Sequence, residues 1–364
     1  MRKQSIMPVL YSVAILVFCV GCTTTPGAHD PLPSWNDGPA KRCILDFVLA
    51  ATAKNSPEFV PGEQRIAVFD NDGTLWVEQP IYPQISFAIA QVMTTAPQHP
   101  EWQSEEPFKA VVTNDRDTIA RFNIKDFEKI IAATHSNMTV EEFQNEVTGW
   151  LAAAEHPRFK RPHTELVYQP MLEVMRYLRA KGFKTYIVTG GGQDFVRSFA
   201  DGIYGVPPEQ VVGSVGKVRY DYGRDGRPVL VKLPEVILLD DKTGKPEGIN
   251  MMIGRRPVAA FGNSNGDRQM LEYTQAGTGA RLMMLVHHDD AEREYAYGAE
   301  SKVGTFSDEL MTEARQRNWG VISMKKDWKV LFPWQDGATP DGRANVDGQR
   351  SGARRGTPAL AASG

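Results

Sequence analysis

Two aspartates, Asp70 and Asp72, stand one residue apart in "AVFDNDGTLW" (67–76), a stretch that carries no basic residue. Carboxylates that close resist joint ionisation, so either a positive charge lies between them in the fold or one keeps its proton. Thr74 adds a hydroxyl two residues on. Farther along, "VTGGG" sets Thr189 and Gly190 ahead of more glycines. That offers a hydroxyl and backbone amides that an anion can approach closely, near a helix expected to begin at Gln193. "TGKPEGI" supplies Lys245, with Lys242 three residues earlier. Lys245 is preferred because it adjoins the helix-like "PEGINMMIG". "FGNSNGD" contributes Asn263 and Asp267, an oxygen-rich corner for a metal. Two acids, a hydroxyl with amides, a cation and such a corner suit phosphoryl transfer through a covalent aspartyl-phosphate.

Short apolar runs carry these residues. "RIAVFD" (65–70), "KTYIVTG" (184–190), "PVAAFGN" (257–263) and "RLMMLVHH" (281–288) each end in Gly, Asp, Asn or His. Continuous apolar runs between helices indicate strands buried on both faces, hence an α/β fold with a Rossmann-like parallel sheet and helices on both sides. "QPMLEVMRYLRAKG" has helical spacing at Met171, Val174, Met175 and Leu178, and "GDRQMLEYTQAG" reads as a second helix. In this architecture ligands gather at the carboxyl ends of the strands, where all the residues above fall. Residues 77–165 break the alternation with helical patterns, including a capping box at Thr139 and Glu142. An insertion leaving that edge is placed to be a cap that excludes water and selects substrate. In "HHDD" (287–290) adjacent histidines on a strand point to opposite faces, which favours a strand end with one residue near the cleft over a metal cluster. Trp76 and Glu78 are placed to line the entrance, with packing in the cap hinge the alternative for Trp76.

The motifs, in this order, resemble those of the haloacid dehalogenase superfamily hydrolases of the phosphatase type: "DNDGT", Thr189, Lys245 and "GNSNGD". The resemblance spans about 65–290 and is closest to the branch with phosphoserine phosphatases, whose helical cap lies between the first two motifs. It implies that Asp70 is the nucleophile and Asp72 the general acid and base. It implies that Thr189, Gly190 and Lys245 hold the phosphoryl group. Mg2+ would be bound by Asp70, the Asp72 backbone carbonyl and the fourth motif, through Asn263 and through Asp267 either directly or by way of another ligand. Many members have aspartate where Asn263 stands; an amide oxygen coordinates Mg2+ without bringing charge. The implied activity is hydrolysis of a small phosphorylated metabolite. The alternatives are a dehalogenase-type hydrolase, against which Asp72 speaks, and an inactive binding lipoprotein of the envelope.

The chain has 364 residues, 41% of them hydrophobic and 23% charged, enough to bury a core without disulfides. A net charge of −3, with no strongly basic stretch in the middle, gives nucleic acid no footing. Arg2 and Lys3 precede "MPVLYSVAILVFCVGC", which resembles a bacterial lipoprotein signal (1–22) with Cys22 as the acylated first mature residue. Cys19 stands where leucine is usual. The expectation is an exported, periplasmic protein whose membrane contact is the lipid alone, leaving Cys43 as its only free thiol. Residues 23–40 read as a tether, 41–76 and 166–335 as the core, 77–165 as the cap, and 336–364 as a disordered tail.

Overall fold

The structure is a computed structural model that describes residues 30–336. The expected signal segment with Cys22, and all of the expected tail but Asp336, lie outside the described residues. Seven strands follow in chain order: β1 (Ile66–Phe69), β2 (Lys184–Gly192), β3 (Val211–Tyr222), β4 (Pro228–Leu238), β5 (Ala259–Gly262), β6 (Leu282–His287) and β7 (Gly320–Ser323). They form one sheet in the order β4-β3-β2-β1-β5-β6-β7, parallel except for the β3–β4 pair. The four apolar runs of the sequence become β1, β2, β5 and β6. Their alternate side chains feed two buried clusters: Ala67, Phe69, Phe261 and Met284 on one face, Ile66, Val68, Ala260 and Leu285 on the other. Period-two patterning is hidden in such strands because both faces are dry.

Helices Gln169–Ala180 and Arg268–Gln275 form as their spacing predicts. Within 77–165 the main helices are Pro83–Thr95, Ile124–Thr134 and Val140–Ala153. Thr139 and Glu142 make the reciprocal capping bonds at the start of the last of these. Ala88, Val92, Trp102, Phe108 and Ile130 give this insertion a small core of its own.

Three strands were not legible. β3 and β4 form a long hairpin beyond β2, and β7 has only four residues. The hairpin exposes Tyr220, Tyr222, Val236 and Ile237, so no continuous apolar run marks it. It meets the insertion: the Lys232 amide donates to the Met138 carbonyl at 2.8 Å, and the Asn137 amide to the Lys232 carbonyl at 2.9 Å. The Lys232 ammonium pairs with Asp194 and lies 4.6 Å from the centroid of the Phe143 ring. Facing the core, then, is not a helical insertion alone but an insertion joined to a β-hairpin.

The tether expectation fails from Pro31 onward. Leu32 and Trp35 are fully buried in the main core. The Trp35 indole donates to the Pro170 carbonyl at 3.0 Å and sits edge-on to Trp328, while Ser34 gives its amide and hydroxyl to the Glu173 carboxylate at 2.9 and 2.6 Å. Averaged over a Pro- and Gly-rich window, two apolar anchors disappear from view. Trp35→Ala should therefore cost about 3–5 kcal/mol of stability, measured by denaturant unfolding, where a tether residue would cost almost nothing.

Candidate active site

β1 ends at Phe69, whose ring stacks on that of Phe261 in β5 at 4.5 Å between centroids. The Asp70 amide donates to the Phe261 carbonyl at 2.9 Å, so the first residue past β1 is still held by the ladder. Register pairs Phe69 with Ile187 and with Phe261. That alignment sets Asp70, Thr189 and Asn263 side by side at the carboxyl edges of three adjacent strands. The position of all three follows from pairing, before any side-chain contact is counted.

A cation lies beside Asp70, paired with Asp267 rather than with Asp72 on its other side. Lys245 is buried and its Nζ is 2.6 Å from Asp70 Oδ1, 2.8 Å from Asp267 Oδ1 and 2.8 Å from the Val188 carbonyl. Burial works against the ammonium, but Asp267, Asp70 and Asp240 outweigh it and hold its pKa above the usual lysine range. Lys242, the alternative, has a left-handed backbone and no such contact to Asp70. Burial, and next Asp267, push the Asp70 carboxyl well above the ordinary carboxylate range, with Lys245 opposing them. One lysine therefore serves several acids, and Asp70 needs further positive charge to stay ionised.

Asp72 is bound differently. Its Oδ1 accepts the Trp76 indole N–H at 2.8 Å, and burial raises its pKa to about 6 despite that bond. Trp76 itself is buried and stacks on Phe199, so it packs at the hinge rather than lining an entrance. The two aspartates thus face separate partners, and one titrates near neutrality.

Thr189 is fully buried, with its hydroxyl accepting the Gly191 amide at 3.1 Å. The Gly192 amide is taken by Gln84 Oε1 at 2.7 Å. Of the glycine amides expected to face an anion, those of Gly191 and Gly192 are thus engaged within the protein, while Gly190 is exposed. Gln84 comes from the first helix of the insertion, and nothing in the sequence singled it out.

Among the described residues no group of three or more His, Cys, Asp or Glu is arranged to hold a metal. The donors present are of another kind. Thr74 Oγ1 lies 3.4 Å from Asp70 Oδ2 and 3.3 Å from Asn263 Oδ1, so a carboxylate oxygen and an amide oxygen converge on one hydroxyl. An all-oxygen set with a single carboxylate fits Mg2+, which keeps several of its waters. Asp267 does not join that set. Its Oδ2 accepts the amides of Asn263 and Ser264, both at 3.0 Å, and its Oδ1 faces Lys245. It anchors the loop that carries Asn263 and pairs with the lysine.

Further residues that sequence reasoning left undecided or missed surround the motif loop. Gly73 has φ of +73°, and a Cβ there would lie 2.0 Å from Asn263 Nδ2, so only glycine fits. His288 Nε2 donates to the Gly73 carbonyl at 2.8 Å and its Nδ1 lies 3.1 Å from the buried Glu294 carboxylate. One histidine of "HHDD" thus reaches the cleft and braces the loop, as expected of a strand end. Glu78 is buried beside Asn263 rather than at an entrance, and burial drives its carboxyl well above the usual range.

The chain is similar to several solved structures. A conserved functionally unknown protein from Anaerococcus prevotii aligns with a TM-score of 0.52 at 16% identity, covering 80% of this chain and 94% of that one. A protein with unknown function from Bordetella pertussis aligns at 0.45 and 16% identity over 72% and 99% of the two chains. A phosphoserine phosphohydrolase-like protein from Francisella tularensis aligns at 0.35 and 17% identity over 69% and 98%. The first of these supports the fold, and at such identity the fold alone. No curated protein matches the sequence. Residues 67–272, over half of the chain, match the model of the haloacid dehalogenase-like hydrolases. That span opens in β1, ends in the helix after Asp267 and contains the four motifs from "DNDGT" to "GNSNGD". The chain belongs to the haloacid dehalogenase-like hydrolase family.

Proposed function

We propose that the protein is a magnesium-dependent phosphomonoester hydrolase that acts on a small phosphorylated metabolite through an aspartyl-phosphate on Asp70. The observation that carries this reading is the split between the two aspartates: Asp70 on Lys245 at 2.6 Å, Asp72 on Trp76 with a pKa of about 6. A nucleophile must be ionised and a general acid must carry a proton for part of the cycle: the pKa of about 6 suits Asp72 to the second task, while Asp70, pushed up by burial and Asp267, relies for its charge on Lys245 and on a bound metal.

In the proposed cycle Asp70 attacks phosphorus while Asp72 gives its proton to the departing alkoxide. Asp72, now ionised, takes a proton from the water that attacks the acyl-phosphate, which releases phosphate and restores Asp70. Lys245 shares the charge of Asp70 and of the phosphoryl oxygens, and the Thr189 hydroxyl with the Gly190 amide holds those oxygens in place. Mg2+ held by Asp70, the Asp72 backbone carbonyl and Asn263 Oδ1 would supply the further positive charge that Asp70 needs.

A dehalogenase has little use for Asp72, because a departing halide needs no proton. The inactive-binder reading rests on Asn263, which lacks charge but still offers an oxygen. A panel of phosphorylated metabolites and haloacids, assayed with Mg2+ and again with excess chelator, separates the three. Chelator-sensitive release of phosphate is the expected result. Turnover of haloacids alone, or of nothing, would favour the rivals. Export, with acylation at Cys22 as the sole membrane contact, belongs to the same proposal on the strength of residues 1–22.

A further inference from the structure

Asn263 places an amide where a carboxylate would ligate a cation whichever way round it lay. An amide has a wrong way round: Oδ1 coordinates, whereas Nδ2 presents two N–H donors that repel a cation. Some neighbour must set its direction. Asn263 Nδ2 donates to Glu78 Oε1 at 2.7 Å, and the same oxygen accepts the Tyr297 hydroxyl at 2.6 Å. The opposite end of the amide, Oδ1, is thereby turned to Thr74 Oγ1 at 3.3 Å, the hydroxyl that also neighbours Asp70 Oδ2.

Glu78 has little freedom to do otherwise. It is 1% exposed, and two glycines form the walls of its slot. A Cβ at Gly73 would come within 2.3 Å of Oε1, and one at Gly304 within 1.8 Å. The Gly304 amide donates to the Tyr82 hydroxyl at 3.0 Å, and the Gly73 carbonyl is held by His288. The acceptor is fixed from three sides before the amide meets it.

We infer that Glu78 is a positioning residue whose Oε1 locks the Asn263 amide with its oxygen toward Asp70, which lets a neutral side chain serve as a Mg2+ ligand. The inference rests on the functional reading above. It concerns direction, not charge, and so it makes a particular demand of an aspartate at 263: a carboxylate has no wrong way round and does not need the lock.

The test is a double-mutant cycle read by calorimetric titration of the purified protein with Mg2+, with no substrate present. With Asn263 in place, Glu78→Leu should weaken Mg2+ binding by about tenfold or more. In an Asn263→Asp background the same change should weaken it by less than about twofold. Glu78→Gln, which keeps an acceptor oxygen of the same shape, should show the same pattern at about threefold and decides the matter if the leucine variant does not fold. Equal weakening in both backgrounds would make Glu78 a mere support and overturn the inference, as would no weakening in either. Failure of the unsubstituted protein to bind Mg2+ would overturn the functional reading and this inference together, an outcome distinct from the other two.

Discussion

Asp70→Asn should abolish turnover of every phosphomonoester substrate, with kcat lowered by about 10⁴-fold or more while the protein stays folded. An amide in that position cannot form the acyl-phosphate, and no other side chain can replace it: Asp72 is tied to Trp76, and Asp267 is spent on Lys245 and two loop amides. The substitution also removes one of the acids crowded around Lys245, and it leaves that ammonium paired with Asp267 at 2.8 Å. Stability should therefore change little, so that a loss of activity reports chemistry. Residual activity within about a hundredfold of the parent would mean that some other group attacks phosphorus.

Asp72→Asn should behave in a more discriminating way. For an alkyl phosphate, whose alkoxide needs a proton, the loss should be about 10²–10⁴-fold in kcat/KM. For an aryl phosphate with a good leaving group the first step should survive far better, and phosphorylated Asp70 should accumulate because water then lacks its base. The parent enzyme should lose kcat/KM toward alkyl substrates as pH rises through about 6, the pKa of Asp72, and this limb should vanish in the variant. Stability should move the other way. A carboxyl whose folded pKa lies above its unfolded value stabilises the fold below about pH 4 and loses that contribution as pH rises through about 6. Without Mg2+, Asp72→Asn should then gain on the order of 1–2 kcal/mol above pH 7 and nothing near pH 4. Parallel loss of activity and stability would contradict both assignments.

The part of this site that local pattern encodes was legible in the chain. Three of the four motifs end apolar runs, and the observed parallel pairing of those runs brings Asp70, Thr189 and Asn263 to neighbouring strands. Lys245 was separable from Lys242 by its helix. What pairing does not encode stayed hidden. Asp267 is an acid in the right motif, and which of its two expected roles it takes depends on backbone contacts to Asn263 and Ser264 that arise from a turn composition does not reveal. Gln84 reaches the Thr189 loop from the insertion, 108 residues away in sequence, and Tyr297 meets Glu78 across 219. The β3–β4 hairpin escaped notice because both its faces carry exposed residues, and Leu32 and Trp35 because two anchors in a Pro-rich segment leave no period.

Trapping the covalent intermediate tests the central claim most directly. Asp72→Asn protein should be mixed with an aryl phosphate, quenched in acid within the first turnovers, digested and mapped by mass spectrometry. The account predicts one phosphoryl group on the peptide containing Asp70, absent from the Asp70→Asn protein. Phosphate on any other residue, or an unmodified Asp70 peptide from material that turns over, would contradict it.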